Sequence, residues 1–560
     1  MQPSTYDNFR WKQTQPGRWE RNIDEVEQFY ATLSRIFQGT ARTFYAITAH
    51  VSLSIAHAST QSSRTELRVI DALRSAWLRL RYDHPTIASW IEENHDQKRC
   101  KKVYEAFSDT EDDPHLTWLE KTFHVISTGQ SGQQWCNSDP PLPKLPTIFL
   151  LKHPPKTQDN VFRVDVVLRS HHDVIDGIGS LHLLNNLIKY ASQALDHPDG
   201  LRMPEFTDEW KNLSPPLRVA ADIPEVLSPD QDLKLKSIVE SNDALREGIE
   251  IATLPFKSGR TVPGCHKRVS VKVPAKDTER ILQVCRKIGA SITHAYHAAI
   301  ALVIRDAQEK SEHERKVRYI SYTLINERDH CKAPYSSPRH AASVYHSVSG
   351  HSLAVDLTVP GLGSPEPAPG QKTGDFARIV EDIKRYYLSI RDDEEHISFV
   401  PSYWQLSTPP YPPGLEDPPI PPPNEWPSAS ISSLGVIDGI ITPTNGQFEV
   451  SDPWVSGEEL GTGLGIFLGT YRGVLGLSAS YNDAWHNEVD VATWPLLPIR
   501  LAVGLKGSQG LVSDNPLILI SASCSAATYQ INYPDRPPRV GEFIDTTCLG
   551  LMKDAMCGKE

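Results

Sequence analysis

Two histidines and two aspartates are crowded into the nine residues HHDVIDGIG, at positions 171–179. Histidine exchanges protons near neutral pH, and reactive groups are often carried on loops at the ends of rigid elements. A neutral imidazole at His172, with one ring nitrogen open, could remove a proton from a nucleophile. An ionised Asp176 needs a cationic partner if it is buried, and Gly177 suits a sharp turn into a helix. The segment is therefore a candidate acid–base site.

The same residues have two other interpretations. The histidines could make core hydrogen bonds, while Asp176 caps a helix and Gly177 permits the turn, without any chemistry. His171 and Asp173 also have the short His-x-Asp spacing of non-haem iron oxygenases, which need a further distant histidine, and the chain contains 21 histidines. The iron hypothesis leaves His172, Asp176 and Gly177 unexplained.

Regular elements are predicted on both sides of this segment. Residues 147–152 (TIFLLK) and 161–168 (VFRVDVVL) have the apolar and alternating patterns of strands. From about Gly177 to Gln193, leucine and isoleucine recur at helical spacing, which predicts a helix with one buried face. The two histidines thus lie between a strand and a helix.

Apolar periodicity predicts further elements along the chain. The predicted helices are 24–38, 63–81, 277–288 and 292–306, and the predicted strands are 43–55 and the segment VSVKVP. A polar, irregular interval at 204–263 indicates the crossover between two halves, and the proline-rich stretches 360–369 and 401–427 indicate loops. Later apolar segments with glycine turns predict neighbouring antiparallel strands, ISSLGVIDGII, GQFEV, GIFLGTY and GVLGLSASY.

Bulk properties exclude several classes of protein. A chain of 560 residues exceeds a single hydrophobic core, which predicts at least two domains. The net charge of −12, without a basic run that carries aromatic residues, argues against a nucleic-acid partner. The chain shows neither the apolar core of a signal peptide nor a membrane span, which predicts a cytoplasmic protein. Eight scattered cysteines without CxxC pairs indicate reduced thiols.

The segment at 171–179 matches the HHxxxDG pattern of the superfamily that contains chloramphenicol acetyltransferase, peptide-synthetase condensation domains and the plant BAHD acyltransferases. Three further segments resemble that superfamily in order and spacing: LRYDHPTIA, ASITHAYHAAIALVI and INERDH. Within it, the whole chain is most similar to the fungal trichothecene 15-O-acetyltransferases. That family acetylates a hydroxyl of a sesquiterpenoid toxin precursor with acetyl-CoA.

The resemblance implies an α/β fold of two chloramphenicol-acetyltransferase-like domains, each a mixed β-sheet flanked by helices, with the active-site channel between them. The implied ranges are an N-terminal domain at 1–215, a crossover linker at 216–265, a C-terminal domain at 266–510 and an unassigned tail at 511–560. The implied ligands are acetyl-CoA as a cosubstrate and a sesquiterpenoid alcohol, without a bound cofactor or metal, on a monomer.

Residue roles follow from the same resemblance. His172 is the expected general base, and His171, Asp176 and Gly177 support it. The resemblance of INERD to the family's short arginine segment makes Arg328 the expected partner of Asp176.

The chain departs from the plant enzymes because their DFGWG sequence is absent, and FEVSDPW stands at the comparable position. Ser432 and Ser433 resemble a serine-containing strand near the reaction centre and could stabilise an oxyanion or bind substrate. The absence of a GxSxG elbow argues against a covalent hydrolase. A condensation-type enzyme with a carrier-protein donor and an inactive small-molecule-binding homologue remain as alternatives.

Overall fold

A computed structural model gives the structure of the chain. It describes residues 5–56, 62–94, 99–108, 112–154, 160–197, 200–257, 259, 262–365, 369–412, 414 and 428–493. The predicted tail at 511–560 lies outside these residues.

The described residues form α-helices at α1 Glu25–Phe37, α2 Ser62–Asp83, α3 Pro114–Thr122, α4 Gly132–Cys136, α5 Gly177–Asp196, α6 Leu217–Ala220, α7 Pro229–Ala244, α8 Ala275–Lys287, α9 Ile292–Asp306, α10 Pro369–Arg391, α11 His396–Ser407 and α12 Glu488–Thr493. The strands are β1 Lys12–Gln15, β2 Arg18–Asn22, β3 Ile47–Ala56, β4 Ser89–Asn94, β5 Arg99–Glu105, β6 Phe123–Ile126, β7 Thr147–Lys152, β8 Val161–Ser170, β9 Glu250–Ile251, β10 His266–Val273, β11 Arg315–Ser321, β12 Leu324–Asn326, β13 His346–Val348, β14 Leu353–Val359, β15 Ala429–Val436, β16 Thr444–Asn445, β17 Phe448–Gly457, β18 Leu464–Tyr471 and β19 Val474–Asn482.

The first half is built on a mixed six-stranded sheet in the order β16-β17-β3-β8-β7-β6. Strand β8 lies inside this sheet and pairs antiparallel with both β3 and β7, so nearly all of its side chains are buried. Helices α2 and α5 pack together on the sheet, and their leucines share one apolar core with it. A separate four-stranded sheet has the order β1-β2-β5-β4 and is called the N-terminal sheet.

The second half contains a four-stranded sheet in the order β10-β19-β18-β15 and a three-stranded sheet in the order β14-β11-β9. Helix α9 packs against α10, α8, β11 and β14, and its apolar residues contribute to a second core. Both halves therefore have the mixed sheets and flanking helices expected of chloramphenicol-acetyltransferase-like lobes, and the predicted α/β fold class is confirmed.

One strand crosses between the halves. Strand β17 lies within 266–510, the range predicted for the second domain, but it pairs antiparallel with β3 through Glu449↔Ser54 to Gly457↔Ile47. The β16–β17 hairpin thus completes the sheet of the first half. A division of the chain at a single linker does not describe a hairpin that joins the sheet of the other half. The linker boundaries at 216–265 stay a prediction.

Three local predictions are wrong. The interval 204–263 was expected to be irregular, but Ser228 and Gln231 form a capping box at the start of the 16-residue helix α7. Helix α11 continues through Pro401, which was expected to begin a loop. The late apolar segments were expected to form one antiparallel set, but β15 pairs parallel with β18 and β17 belongs to another sheet.

Buried neutral histidines predict that acid destabilises the fold. His297 is fully buried between the hydroxyls of Tyr319 (3.0 Å) and Tyr387 (3.3 Å), and burial lowers its pKa to about 3. An unfolded histidine titrates near pH 6.5, so the unfolded state binds more protons between about pH 6.5 and 3. Stability is therefore complete above that range and is lost as the pH falls through it. We expect the melting temperature to fall by several degrees from pH 7.5 to pH 5.

His297→Gln should reduce this fall in melting temperature, because it removes one of the groups that bind a proton only on unfolding. The exposed His313 provides the control, since His313→Gln should leave the fall unchanged. Equal pH dependence in the His297 variant and the wild-type chain would contradict the assignment.

Candidate active site

The loop between β8 and α5 carries the HHxxxDG residues. Asp176 has an extended backbone, with φ −94° and ψ 178°, and its side chain accepts a hydrogen bond from Gly179 N, so it is the N-cap of α5. Capping satisfies one of the free amide groups in the first turn of a helix. The predicted connection from strand to helix is confirmed, and it places the two histidines at the junction of the two halves.

The Asp176 carboxylate, which is 3% exposed, joins these two halves. Its Oδ1 accepts from Gly179 N at 2.7 Å, and its Oδ2 accepts from Tyr345 N at 2.8 Å and from Arg328 Nη1 at 2.9 Å. Burial alone would raise the pKa of Asp176, but the charge and hydrogen bond of Arg328 outweigh it, and the pKa lies below its usual value. The structure thus contains the Asp176–Arg328 pair that the resemblance implied.

Gly177, which was expected to permit the turn, and Gly179, two residues further on, differ in whether the structure requires glycine. Gly177 does not have a left-handed backbone, and a Cβ on it would make ordinary contacts with Val455 at 3.5 Å and Leu434 at 4.0 Å. The turn therefore does not require glycine at this position. Gly179 does require it, because a Cβ there would lie 2.2 Å from the Ala341 carbonyl oxygen. Close approach of the second half, which sequence reasoning did not predict, explains this glycine.

His172 is partly accessible, and its ring lies parallel to that of Tyr30, with centroids 3.9 Å apart and an interplanar angle of 5°. Its Nδ1 atom is enclosed and makes no regular hydrogen bond with the described residues. Burial lowers the pKa of His172 to about 3, and His346 lowers it further, whereas an interaction with the residue's own backbone raises it. The net pKa lies far below neutrality, so the ring is uncharged near pH 7.

The lowered pKa corresponds to a neutral imidazole. Such a ring carries one proton, so one of its two nitrogens keeps a free lone pair. Within the described parts of the chain, no hydrogen bond engages Nε2. Such a ring can accept a proton from a substrate hydroxyl, as a general base must.

Three aromatic side chains from separate segments cluster beside His172. The Tyr30 hydroxyl on α1 forms a hydrogen bond with His346 Nε2 on β13 at 2.9 Å, and the Trp404 ring meets the His346 ring edge-on, with centroids 5.3 Å apart. Tyr30 lies in the helix predicted at 24–38, and none of the three residues had been singled out from the sequence. Their spacing in the sequence gives no signal, because only the fold brings them together.

A buried charge network contacts the loop between β8 and α5 through Asp173. Lys102 on β5 donates to the backbone oxygen of Asp173 and, at 2.7 Å, to Glu27 Oε1. Glu27 also accepts two hydrogen bonds from Arg21, and although burial alone would raise the pKa of Glu27, these two cations hold it at about 2. The N-terminal sheet thereby fixes the loop.

The same network bears on the iron hypothesis. The Asp173 carboxylate lies 3.7 Å from Lys102 Nζ, so a cation already faces it. Across the described residues, no three histidine, cysteine or acidic side chains converge as metal ligands. Among the described residues, no third ligand joins His171 and Asp173, as the iron hypothesis requires.

Ser432 and Ser433 lie on β15, whose Leu434 side chain lies within 4.0 Å of the position of a Cβ on Gly177. A β-bulge lies between Ser433 and Gly435, so alternation along the strand does not assign Ser432 to the side of Leu434. Ser433 is exposed, and its hydroxyl lies 2.9 Å from that of Thr293 on α9. Contact of either serine with a developing oxyanion stays a prediction.

The fold and the loop define a class. Two lobes of the chloramphenicol-acetyltransferase type meet at an HHxxxDG loop, and solved structures that resemble this chain share the two-lobed fold. The TRI3 trichothecene 15-O-acetyltransferase of Fusarium sporotrichioides matches with a TM-score of 0.68 and 18% identity, over 90% of this chain and 99% of that one. The first condensation domain of the CDA synthetase matches with a TM-score of 0.57 and 14% identity, over 86% and 96%.

The sequence comparisons identify a narrower group than the fold does, a single acetyltransferase family. A sequence model for the family described as 15-O-acetyltransferase Tri3 matches residues 1–350, more than half of the chain, and the chain therefore belongs to this acetyltransferase family. Acetyltransferase pigO of Monascus ruber is 24% identical over 482 residues, 85% of this chain and 94% of that protein. Trichothecene O-acetyltransferase TRI3 of Trichoderma arundinaceum is 26% identical over 309 residues, 51% of this chain and 58% of that protein.

Among the described helices, none combines the length and the apolar character needed to cross a membrane.

The buried ion pair predicts a large effect of removing one partner. Arg328→Met would leave Asp176 ionised and uncompensated in the interior, which costs about 3–5 kcal/mol. We expect the melting temperature to fall by about 5 °C or more, measured by differential scanning calorimetry at pH 7.5.

The partly exposed pair Arg378–Asp382, 3.1 Å apart on α10, provides a matched control. Arg378→Met should shift the melting temperature by about 1 °C or less, because exposed pairs contribute little. Equal shifts in Arg328→Met and Arg378→Met would contradict a special role for the buried pair.

Proposed function

We propose that this protein transfers an acetyl group from acetyl-CoA to a hydroxyl of a sesquiterpenoid alcohol, with C-15 of a trichothecene as the acceptor position and His172 as the general base. The observation that carries the proposal is the His172 ring, which is partly accessible at the junction of the lobes and whose Nε2 forms no hydrogen bond with the described residues. Family membership supports acetyl transfer. We place the enzyme in the cytoplasm as a monomer.

The reaction begins with deprotonation. An alcohol is a poor nucleophile at neutral pH, and a positioned base contributes roughly 10²- to 10⁴-fold to the rate. His172 Nε2 takes the hydroxyl proton while the oxygen attacks the thioester carbonyl, which forms a C–O bond and a tetrahedral oxyanion. Collapse of this intermediate breaks the C–S bond and expels the CoA thiolate, which receives the proton from His172.

The surroundings of His172 suit both protonation states. Burial favours the neutral ring before the reaction, so the base is available at physiological pH. Once the proton has moved, the imidazolium lies flat against the Tyr30 ring at 3.9 Å. A cation over an aromatic face is stabilised by about 0.5–2 kcal/mol. Tyr30 thereby lowers the cost of the charge that His172 carries in the intermediate.

The acyl donor distinguishes this proposal from the condensation-domain alternative. The two kinds of enzyme share a fold, and a carrier protein and CoA present the same phosphopantetheine arm, so the fold does not choose between them. Free acetyl-CoA should be sufficient for the proposed enzyme. Turnover only with an acylated carrier protein would favour the condensation-type enzyme.

His172→Ala should abolish acetylation of the alcohol, because the variant has no group to take the hydroxyl proton. We expect kcat to fall by about 10²- to 10⁴-fold, measured by mass spectrometry of the product from acetyl-CoA and a trichothecene alcohol. The neighbouring His171→Ala is the matched control and should retain kcat within about tenfold, since His171 supports the loop and does not transfer the proton. Activity of the wild-type chain should survive a chelator.

Two outcomes would contradict these assignments. Full activity in a folded His172→Ala variant would remove His172 from the mechanism. Loss of wild-type activity with chelator, restored by a metal, would favour metal-dependent chemistry. If the wild-type chain gives no product, the acceptor or the donor is of another class.

The pH dependence of kcat/KM provides a separate test. An unperturbed histidine base would lose activity below about pH 6.5. Because burial lowers the pKa of His172 to about 3, its neutral form persists, and kcat/KM should show no inflection between about pH 8 and 5.5. Initial rates taken before acid unfolding measure this. A single acid limb centred at pH 6.5 would contradict a buried neutral base.

A further inference from the structure

His346 is a second histidine beside the base, and the mechanism above does not use it. It begins β13, where it pairs with Asn326 on β12, and its ring centroid lies 5.4 Å from that of His172. It is partly accessible and lies across the junction from α1, which carries Tyr30. The two residues therefore belong to different halves of the protein.

The Tyr30 hydroxyl and His346 Nε2 lie 2.9 Å apart and form a hydrogen bond. Burial raises the pKa of Tyr30 well above its usual value, so its hydroxyl keeps its proton. Burial lowers the pKa of His346, which favours its neutral ring. In the tautomer whose Nε2 carries no proton, the Tyr30 hydroxyl donates this bond and His346 accepts it.

The charged groups on neighbouring elements leave the pKa of His346 below its usual value, which favours the neutral ring. Burial lowers its pKa, and Arg328 lowers it further, whereas Asp176 and Glu327 raise it, with a net decrease. On its remaining side lies the uncharged Trp404. The Tyr30–His346 bond therefore persists at the pH at which the base must work.

This bond fixes the ring that contacts His172. A tyrosine ring that lacks an anchored hydroxyl can tilt about its side-chain bonds, whereas Tyr30 is held at its far end by a residue from the other lobe. With Tyr30 held, its parallel stack on His172 limits the tilt of the imidazole, because Nδ1 of His172 makes no regular hydrogen bond of its own. The orientation of Nε2 then depends on a residue that does not contact substrate.

We propose that His346 is a positioning residue, which acts through the hydroxyl of Tyr30 to hold the His172 imidazole with Nε2 directed at the acceptor hydroxyl. The inference rests on the proposed role of His172 as general base. It adds a residue from the second lobe to the proton-transfer machinery.

A double-mutant cycle tests the route through Tyr30. His346→Leu removes the acceptor, Tyr30→Phe removes the donor and keeps the ring, and the third variant combines both. We expect each single variant to lower kcat by about 5- to 10-fold with KM for both substrates within about twofold, and the double variant to show the same loss, because one interaction is removed in all three. His346→Gln, whose amide oxygen can accept the bond, should recover most of kcat.

Other results of this cycle would overturn the proposal. Losses that multiply, to about 25- to 100-fold in the double variant, would show that the two residues act separately. Unchanged kcat in His346→Leu would show that the bond is dispensable. A general loss of packing would lower the melting temperature of a variant. It would also lower kcat in a way that His346→Gln does not recover.

A measurement that does not depend on activity separates this proposal from the proposed function. In ¹⁵N-histidine-labelled protein, the His172 resonances are identified by their absence in His172→Ala, and their shifts report which ring nitrogen carries the proton. We expect one tautomer, with the proton on Nδ1, in the wild-type chain and a mixture in His346→Leu. An unchanged His172 signal would overturn the positioning role even if acetylation is confirmed. A changed signal would support it even if the tested alcohol is not acetylated.

Discussion

The ion pair between Asp176 and Arg328 is the constraint on which the rest of the site depends. Asp176 caps α5, and the same carboxylate accepts hydrogen bonds from Arg328 and the Tyr345 amide of the other half. A buried carboxylate is expensive unless it is paired, so the loop can adopt this path only when the second lobe is in place. The position of the base is consequently a property of the assembled pair of lobes.

Around the Asp176–Arg328 pair, charged side chains are kept apart from the reacting nitrogen of His172. Paired charges hold the backbone of the loop, where Arg21 and Lys102 face the carboxylates of Glu27 and Asp173. Aromatic and neutral groups lie around His172 itself. Low polarity disfavours imidazolium in the resting site, and the aromatic face of Tyr30 moderates the cost when the proton arrives. Charges that hold the backbone are thus kept apart from the ring that must stay neutral.

Local patterns and one motif predicted much of this arrangement. The helical repeats of α2 and α5 and the apolar strands β7 and β8 were evident because each buries one face or both. Helix α7 was missed although Ser228 and Gln231 cap its start, because it buries few apolar residues. Tyr30, His346 and Lys102 could not be predicted as neighbours of the loop, since distant segments bring them together and no local periodicity records such contacts.

The exchanged strand β17 has a consequence for how the chain folds during synthesis. Its pairing with β3 joins residues such as Trp454 and His50, which are separated by about four hundred positions. Closing so long a loop is slow, and until it closes one edge of β3 is an open template for pairing with other chains. The sheet of the first half therefore cannot be completed until β17 has left the ribosome. Until then, the nascent protein depends on protection from aggregation.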